Sequence, residues 1–354
     1  MDQPRYRRFA IFLLAVLVAA CTSVPPTPLL DEFDDREAEQ ERTGRPQWPP
    51  PPAEARIRYL GEIEGKRKFE PRAPLWRRLV EAFEGSPGVR LVRPAAVCAR
   101  GSTLAIADPG AAVVHVLDLY RRTWLVIEQA PVGALRSPVG VACLPGGRIA
   151  VTDSALDGIW LFGIDGTALG RLGDARLRQP TGLVFDEVRQ RLWVAETLEH
   201  RLRAFDLSGR ELLRVGRRGS GPGDFNFPTM LAGDPEGGLW VTDALNFRLQ
   251  HVDPSGRLDR SFGVAGDRAG AFARPRGLAV DSEGRIFSVD GLMDAVQIFD
   301  SEGRLLLAFG GRGTEMGQFW LPADVALDGQ GHVYVVDSFN QRIQVFAYRP
   351  PAGA

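Results

Sequence analysis

Gly216-Arg-Arg-Gly219-x3-Gly223-x-Phe225-x-x-Pro228 is a loop that this chain repeats twice more. The same five glycine, phenylalanine and proline positions return as Gly263-x-x-Gly266-x3-Gly270-x-Phe272-x-x-Pro275 and as Gly310-x-x-Gly313-x3-Gly317-x-Phe319-x-x-Pro322, each copy 47 residues after the previous one. Chance does not place these residue types at matched spacing. The chain is therefore a repeat protein, and a period of this size made of short β runs is typical of propeller blades rather than helical solenoids.

Six such units can be aligned on the proline that opens each of them. Two short β runs follow the proline and end at an acidic residue, and the clearest unit, residues 275–309, adds a third and a fourth run. The opening prolines are Pro94, Pro138, Pro180, Pro228, Pro275 and Pro322. Residues 94–348 are therefore predicted to form an all-β, six-bladed β-propeller of four-stranded antiparallel blades.

The sixth unit ends after its third strand, near Phe346, and has no outer strand of its own. Such a blade would expose unpaired backbone groups at the point where the ring has to close. Residues 56–63, Arg-Ile-Arg-Tyr-Leu-Gly-Glu-Ile, have the alternation and the length of a strand. We therefore predict that these N-terminal residues form the outer strand that closes the last blade.

Residues 64–93 connect this closing strand to the first blade and contain an amphipathic stretch, residues 74–84. Its apolar residues fall on one face at helical spacing, which predicts a helix: Leu75, Trp76, Leu79, Val80 and Phe83. We favour a helix that packs this face on the rim or underside of the propeller. The alternative is a helix that docks on a membrane surface or on a partner, as Trp76 beside two arginines indicates.

Residues 1–20 have the features of an export signal. Three arginines within residues 5–8 precede an apolar run, residues 9–18, that is too short to span a bilayer. The Val-Ala-Ala-Cys sequence that ends at Cys21 resembles a bacterial lipobox, which implies that Cys21 is lipidated. An ordinary signal peptide cut near Ala20 is the alternative. Thr22, in place of an aspartate, favours outer-membrane placement of an extracytoplasmic, lipid-anchored protein.

Residues 21–55 have the composition of a tether. They combine proline clusters with an acidic stretch at residues 31–37, and Trp48 is followed by four prolines. Such a segment buries too little apolar surface to offset the entropy of ordering, and its prolines favour extended polyproline II. We predict a disordered, Pro-rich acidic tether that holds the propeller away from the membrane.

Two cysteines lie beyond Cys21, each on the first strand of its unit. Cys98 is the fourth residue after Pro94, and Cys143 is the fifth residue after Pro138. This opposite parity on neighbouring strands could point the two thiols at each other, because successive strand side chains face opposite ways. A disulfide is therefore one hypothesis, and we favour the other, two small buried thiols.

The units resemble NHL repeats, whose blades read roughly Pro-x-Gly-Val-Ala-Val-Asp and then Tyr-Val-Ala-Asp-x-x-Asn-x-Arg-Val-Gln-Val-Phe. Unit six is the most similar, as Val335-Val-Asp337-Ser-Phe-Asn340-Gln-Arg342-Ile-Gln-Val-Phe346. Units three and four keep the arginine, as Arg201 and Arg248, whereas the other three units have different residues there. The resemblance covers about residues 90–348 and implies a six-bladed propeller that serves as a binding scaffold.

An acidic residue ends the second strand of every unit, at the face where the first strands begin. These residues are Asp108, Asp153, Glu196, Asp243, Asp290 and Asp337. Such a ring could bind a cation near the mouth of the channel. We favour a structural role, in which each carboxylate accepts N–H groups of the following turn, because every blade has one. Three of the acids precede an arginine by five residues and are predicted to pair with it: Arg201, Arg248 and Arg342.

Residues around the opening prolines differ between units, which suits a ligand site better than the repeated positions do. Charged residues gather there: Arg93, Arg136, Arg178, Arg274, Arg276 and, opposite them in the repeat register, Asp324. Arginines that point inward would give the mouth a basic rim for an anionic sugar, a phosphate or a peptide carboxylate. The alternative, which we favour, is that they form salt bridges with the neighbouring acids.

The sequence shows no group of residues in the pattern that known propeller enzymes use for catalysis. The amidating-lyase relatives of NHL proteins use a zinc-binding group of histidines, but the four histidines here occupy four different positions of the repeat. Lactonase-type propellers hold a divalent ion on acids and asparagines of the inner strands, and Asp324 is the only acid two residues after an opening proline. We predict neither a metal nor a cofactor. A metal-dependent lyase or lactonase acting in the channel remains the alternative.

The charges of the chain nearly cancel, with 43 basic and 44 acidic residues, so electrostatics do not favour a nucleic acid as partner. The anchor, the tether and the six blades together predict a binding scaffold that presents a rigid disc to a protein or glycan of the cell envelope. An accessory protein that docks a cytochrome for electron transfer is a third hypothesis.

Overall fold

A computed structural model describes residues 28–35, 44–50, 52–66, 89–174 and 176–350 of the chain. Six antiparallel sheets of four or five strands form the blades, and the inner strands of neighbouring blades contact each other around a closed circle. The predicted all-β, six-bladed propeller is confirmed. The middle strands are covered by blades on both sides, so all the residues of Arg191–Glu196 and of His332–Asp337 are buried.

Blades one to five each take four consecutive strands, in the order inner, second, third and outer. Blade one contains Ala96–Arg100, Thr103–Asp108, Val113–Asp118 and Thr123–Ile127. Blade two contains Pro138–Leu144, Arg148–Asp153, Gly158–Gly163 and Ala168–Arg171. Blade three contains Pro180–Asp186, Arg191–Glu196, Arg201–Asp206 and Glu211–Val215. Blade four contains Pro228–Gly233, Leu239–Asp243, Arg248–Val252 and Leu258–Phe262. Blade five contains Pro275–Val280, Ile286–Asp290, Ala295–Phe299 and Leu305–Gly310.

Shorter elements join these strands. A small hairpin lies between blades one and two, and one-turn 3-10 helices follow the second strands of blades three and four: Gln129–Ala130, Gly133–Ala134, Thr197–Glu199 and Ala244–Asn246. All six inner strands begin at the same face of the disc, which we call the proline face. The second strands end at this face, whereas the turns that join inner to second strands lie on the opposite face.

Blade six is closed by the N-terminus, as predicted. Its first three strands are Asp324–Leu327, His332–Asp337 and Arg342–Tyr348, and its fourth is Ile57–Ile63. Ile57 lies opposite Tyr348 and Ile63 opposite Ile343 in an antiparallel ladder. An ion pair of 2.8 Å between Glu62 and Arg342 reinforces this pairing. Backbone pairing therefore joins the two ends of the chain within one blade.

A fifth strand, Gln47–Trp48, extends blade six outwards, within the region predicted to be a tether. Trp48 lies opposite Ile57, and its ring is 5.7 Å from that of Phe309 and 6.1 Å from that of Phe346. Packing the Trp48 ring against two buried aromatic rings stabilises this segment on the propeller more than a solvated, extended conformation would. The prediction of a disordered tether was therefore wrong for residues 44–50.

Residues 29–35, also assigned to the tether, are helical and packed on the opposite face. Leu29 and Phe33 are fully buried in a core cluster shared by blades one and six. The Leu29 N–H donates to the Leu119 carbonyl at 2.9 Å, and Asp34 lies 3.1 Å from His332. Two buried apolar side chains stabilise this helix against the propeller, which contradicts the predicted tether here as well.

The repeated glycine, phenylalanine and proline loop crosses from the outer strand of one blade to the inner strand of the next. Phe225, Phe272 and Phe319 are each fully buried beneath their loops. Gly216, at the start of the first loop, has a φ of +90°, and a Cβ there would lie 2.3 Å from the Phe225 ring. Glycine is required because the backbone turns left-handed directly against the aromatic ring.

Cys98 and Cys143 form a disulfide, with their Cα atoms 5.7 Å apart. The bridge joins the inner strands of blades one and two. We favoured two separate thiols, and that preference was wrong because the strand register brings the two side chains together across the blade interface. Both cysteines line the channel near the opposite face.

Removing this bridge is expected to lower the free energy of unfolding by about 2–4 kcal/mol, because the crosslink restricts the unfolded chain. The variant Cys98→Ser/Cys143→Ser and the wild type are compared by denaturant unfolding, with and without a reductant. Reduction should destabilise the wild type alone. Equal unfolding midpoints for the oxidised and reduced wild type would contradict a closed bridge.

Residues 1–27 and 67–88 lie outside the described residues. The predicted signal peptide, the lipidation site at Cys21 and the amphipathic stretch 74–84 fall within them and stay predictions. In the described ranges, no helix has the length and apolar character needed to cross a membrane.

Candidate functional site

The channel of the propeller opens at the proline face as a cavity of about 470 Å³. The residue directly after each opening proline lines its wall. These six residues are Ala95, Val139, Thr181, Thr229, Arg276 and Ala323. Each blade therefore contributes an equivalent position to the mouth, and Arg276 of blade five supplies the charge in this set.

Arg276 and Arg274 flank the opening proline of blade five and both line the mouth. Arg274 is exposed, whereas Arg276 is half-buried. Burial lowers the pKa of the Arg276 guanidinium, the positive charge of Arg274 lowers it further, and Asp324 acts in the opposite direction. Two neighbouring guanidinium groups in a concave wall present planar donors that match a carboxylate or a phosphate.

Asp324 lies beside the mouth, where blade six meets blade one. Its carboxylate is buried and accepts the Val97 N–H of blade one at 3.0 Å. Burial raises the pKa of Asp324 to about 7, against the hydrogen bonds from Val97 and Val325 and the charge of Arg276. A Cβ on Gly277 would lie 2.2 Å from the Asp324 carboxylate, so the neighbouring inner strand accommodates this side chain by having glycine there.

Hydroxyl groups join neighbouring blades beneath the mouth. Thr181 Oγ1 donates to the Thr229 carbonyl at 2.9 Å, and Thr197 Oγ1 donates to the Pro228 carbonyl at 2.8 Å. These threonines were not predicted as site residues, although each lies directly after an opening proline or after an acid of the ring. They link blades three and four by hydrogen bonds at this side of the mouth.

The six predicted ligand-binding residues do not all meet. Arg274 and Arg276 line the mouth, and Asp324 is buried beside it, whereas Arg93 and Arg136 are exposed and do not line this cavity. Arg178 lines a separate shallow cavity with Arg176 and residues of blade two. Among the described residues, the charged side chains in the wall of the mouth are thus the two arginines of blade five.

The six acids of the ring are all buried and lie behind the mouth, not in its wall. Each accepts backbone N–H groups from the loop before its own inner strand. The donors include Arg93 to Asp108 at 3.0 Å, Arg136 to Asp153 at 2.7 Å, Arg178 to Glu196 at 3.0 Å, and Arg274 to Asp290 at 2.9 Å. The favoured salt bridges are thus replaced by contacts through the backbone, and these contacts hold the loops around the mouth.

Three acids also bind the arginine five residues later. The Nε–carboxylate distances are 2.7 Å for Arg201 with Glu196, 2.8 Å for Arg248 with Asp243, and 2.8 Å for Arg342 with Asp337. Such buried, hydrogen-bonded pairs leave these carboxylates few sites for another ligand. Their geometry serves the structure of the blade.

A second cavity, of about 490 Å³, opens on the opposite face between blades five, six and one. Its charged groups are paired with one another: Arg285 lies 2.7 Å from Asp281, and His332 lies 2.7 Å from Asp328. Because these groups already form ion pairs, they have fewer free hydrogen-bonding positions for a charged ligand than Arg274 and Arg276 have.

The histidines lie on four different blades and make local contacts. His115 contacts Trp124, and His200 accepts the Phe227 N–H. His251 contacts Asp259, and His332 contacts Asp328. Across the described parts of the chain, no three His, Cys, Asp or Glu side chains are grouped so as to hold a metal ion.

Residues 319–346 match the family model of the NHL repeat. No curated protein matches the chain. Among solved structures, it is similar to a structural genomics protein of unknown function from Bacteroides thetaiotaomicron, with 16% identity, a TM-score of 0.58 and coverage of 74% of this chain and 70% of that one.

Two enzymes with the same fold are also similar. A gluconolactonase from Xanthomonas campestris has 18% identity and a TM-score of 0.56, over 73% of this chain and 87% of its own. A streptogramin B lyase has 11% identity and a TM-score of 0.55, over 73% of this chain and 94% of its own. Identities this low establish the fold alone. The chain is a six-bladed β-propeller in which residues 319–346 match the NHL repeat.

Proposed function

We propose that this β-propeller of NHL type is a binding scaffold of the cell envelope. Lipid on Cys21 anchors it outside the cytoplasm, with the outer membrane as the favoured site. The mouth at the proline face binds a carboxylate-bearing protein or glycan. The proximity of Arg274 and Arg276 in one concave wall is the observation that carries this proposal.

The surroundings of the two arginines support binding. Arg274 gives its backbone N–H to buried Asp290, so its main chain is fixed while its exposed side chain reaches the cavity. A site held in place before the ligand arrives loses less entropy on binding. Asp324, whose charge acts on Arg276, is buried and bound to blade one, so it does not occupy the arginines as an exposed ion pair would.

Photo-crosslinking in cells that make the full chain tests this function. A photoreactive residue at Leu245, which is exposed and lines the mouth, is expected to capture a component of the envelope. The variant Arg274→Glu/Arg276→Glu should reduce the yield about tenfold or more, since reversing the charge repels a carboxylate. A photoreactive residue at Val188, exposed on the opposite face, is the matched control.

Equal yields from Leu245 and Val188, or a yield that the charge reversal does not change, would contradict the scaffold. Release of the Cys21→Ser variant from the membrane fraction is expected in the same cells. Elemental analysis of the purified full chain tests the enzyme alternative: stoichiometric zinc or calcium, with an activity that chelation abolishes, would favour a metal-dependent lyase or lactonase.

A further inference from the structure

Large apolar side chains stand in the solvent around the mouth, at one repeated position. The second residue after the buried acid is apolar in four successive blades, three to six. Their exposures are 47% for Leu198, 53% for Leu245, 59% for Leu292 and 43% for Phe339. We call these four residues the apolar crescent. Blades one and two have Gly110 and Ala155 at this position, so the crescent covers one side of the face.

The turns that carry the crescent are held by backbone hydrogen bonds. The Leu245 N–H donates to the Asn226 carbonyl at 3.0 Å, and the Phe339 N–H donates to the Trp320 carbonyl at 3.2 Å. In blade five the Leu292 N–H donates to Asp290 at 3.0 Å. The apolar side chains are therefore presented at fixed positions on the rim of the mouth.

The fold does not require large apolar residues at this position. Gly110 follows Asp108 in an equivalent turn with no side chain, and its N–H also donates to the acid at 3.0 Å. A leucine that leaves half its surface in water contributes little to stability, whereas several on one face mark an interaction surface. Trp320, 42% exposed with its ring 5.8 Å from that of Phe339, widens the surface at blade six.

Positive charge accompanies this apolar surface. Leu245 lines the mouth together with Arg274 and Arg276, and Leu198 lines the neighbouring shallow cavity with Arg178, while Arg176 of that cavity is paired with Asp157 at 2.9 Å. A complementary partner combines apolar side chains, which the crescent would bury, with carboxylates, which the guanidinium groups would bind. Sugar hydroxyls would be desolvated against leucines without receiving hydrogen bonds, so a glycan fits this surface less well.

We infer that the apolar crescent is the docking surface for an acidic and apolar segment of a partner protein. The segment lies across blades three to six, with a carboxylate on Arg274 and Arg276. This inference rests on the proposed function and narrows its ligand from a protein or glycan to a protein segment. Burial of exposed leucine and phenylalanine side chains provides affinity, and the arginines select the charge.

A labelled twelve-residue peptide of alternating leucine and glutamate is the probe, titrated into the full chain and followed by fluorescence anisotropy. The crescent variant Leu198→Ser/Leu245→Ser/Leu292→Ser/Phe339→Ser is expected to raise the Kd at least tenfold. The matched control, Leu169→Ser/Val188→Ser/Leu305→Ser/Leu306→Ser, changes four exposed apolar residues elsewhere and should leave the Kd unchanged. A peptide with lysine in place of glutamate should not bind.

Thermal unfolding of both variants shows whether they remain folded, as expected for exposed positions. An unchanged Kd for the crescent variant, or a wild type that does not bind the peptide, overturns the inference. If Leu245 still captures an envelope component in that case, the scaffold function stands and only the protein-segment ligand fails. A photoreactive residue at Leu292 that captures residues 74–84 of the same chain would also overturn it, since the chain would then cover its own crescent.

Discussion

A chain that begins at Lys66, and so lacks the closing strand Ile57–Ile63, is expected not to fold stably at 25 °C. Ile57, Leu60 and Ile63 are fully buried, and Tyr59 is nearly so. Burial of each such side chain contributes about 1.5–3 kcal/mol, so four contribute a sum comparable to the roughly 5–15 kcal/mol by which a native domain is stable. The loss also exposes the whole edge of the third strand of blade six.

Circular dichroism on heating measures this effect. A chain that begins at Gly44 keeps the closing strand and Trp48 while losing the helical residues 29–35, so it should show a cooperative transition at a somewhat lower Tm than the full chain. If the chain beginning at Lys66 instead melts like the full domain, the closing strand does not hold the ring together.

The variant Asp337→Ala is expected to cost about 3–5 kcal/mol of unfolding free energy, because it leaves buried donors without their acceptor. The Asp337 carboxylate is fully buried and accepts the Trp320 N–H at 2.8 Å, Asn340 Nδ2 at 2.9 Å, Arg342 Nε at 2.8 Å and Gln344 Nε2 at 2.9 Å. The carboxylate thus joins the loop before blade six to its third strand, next to the closing strand.

Denaturant unfolding gives the free energy for this variant. Asp300→Ala is the control, because Asp300 pairs with an Arg304 side chain that is 76% exposed, and it should cost less than about 1 kcal/mol. The double variant Asp337→Ala/Arg342→Met should cost less than the sum of the two single variants, since both single variants break the same ion pair. Equal losses for Asp337→Ala and Asp300→Ala would rule out the buried network as a stabilising element.

The blades were predictable because each repeats the same local requirements. Gly216 must turn left-handed against Phe225, and Pro228 must start the next strand, so the same residues return in later blades at fixed spacing. The closing strand was predictable for a related reason: blade six lacked a strand, and residues 56–63 had a pattern to supply it. The repeated pattern therefore allowed the fold to be predicted from the sequence.

Other features depend on contacts that do not repeat. Leu29 and Phe33 are two apolar residues in an acidic, proline-rich segment, and only the cleft between blades one and six makes them core residues. The disulfide required the register of two neighbouring inner strands, which parity alone left open. Both were mispredicted because their partners are distant in sequence and occur once.

The candidate site was predictable in part. Position relative to the prolines identified Arg274 and Arg276, which line the mouth, but it equally identified Asp324, Arg93 and Arg136, which do not line it. Leu245 of the crescent is exposed, and an identical residue four positions later, Leu249, is fully buried. Hydrophobicity alone does not distinguish a contact surface from a core.

The packed helix at residues 29–35 limits how the disc would face a membrane if Cys21 carries the proposed lipid. Cys21 precedes residue 28 by seven residues, a span of at most about 25 Å when fully extended. Leu29 is bound to Leu119 on the face opposite the mouth. With lipid on Cys21, as proposed, the bilayer lies beneath that face, and the arginines and leucines of the mouth point outwards, towards whatever passes above the membrane surface.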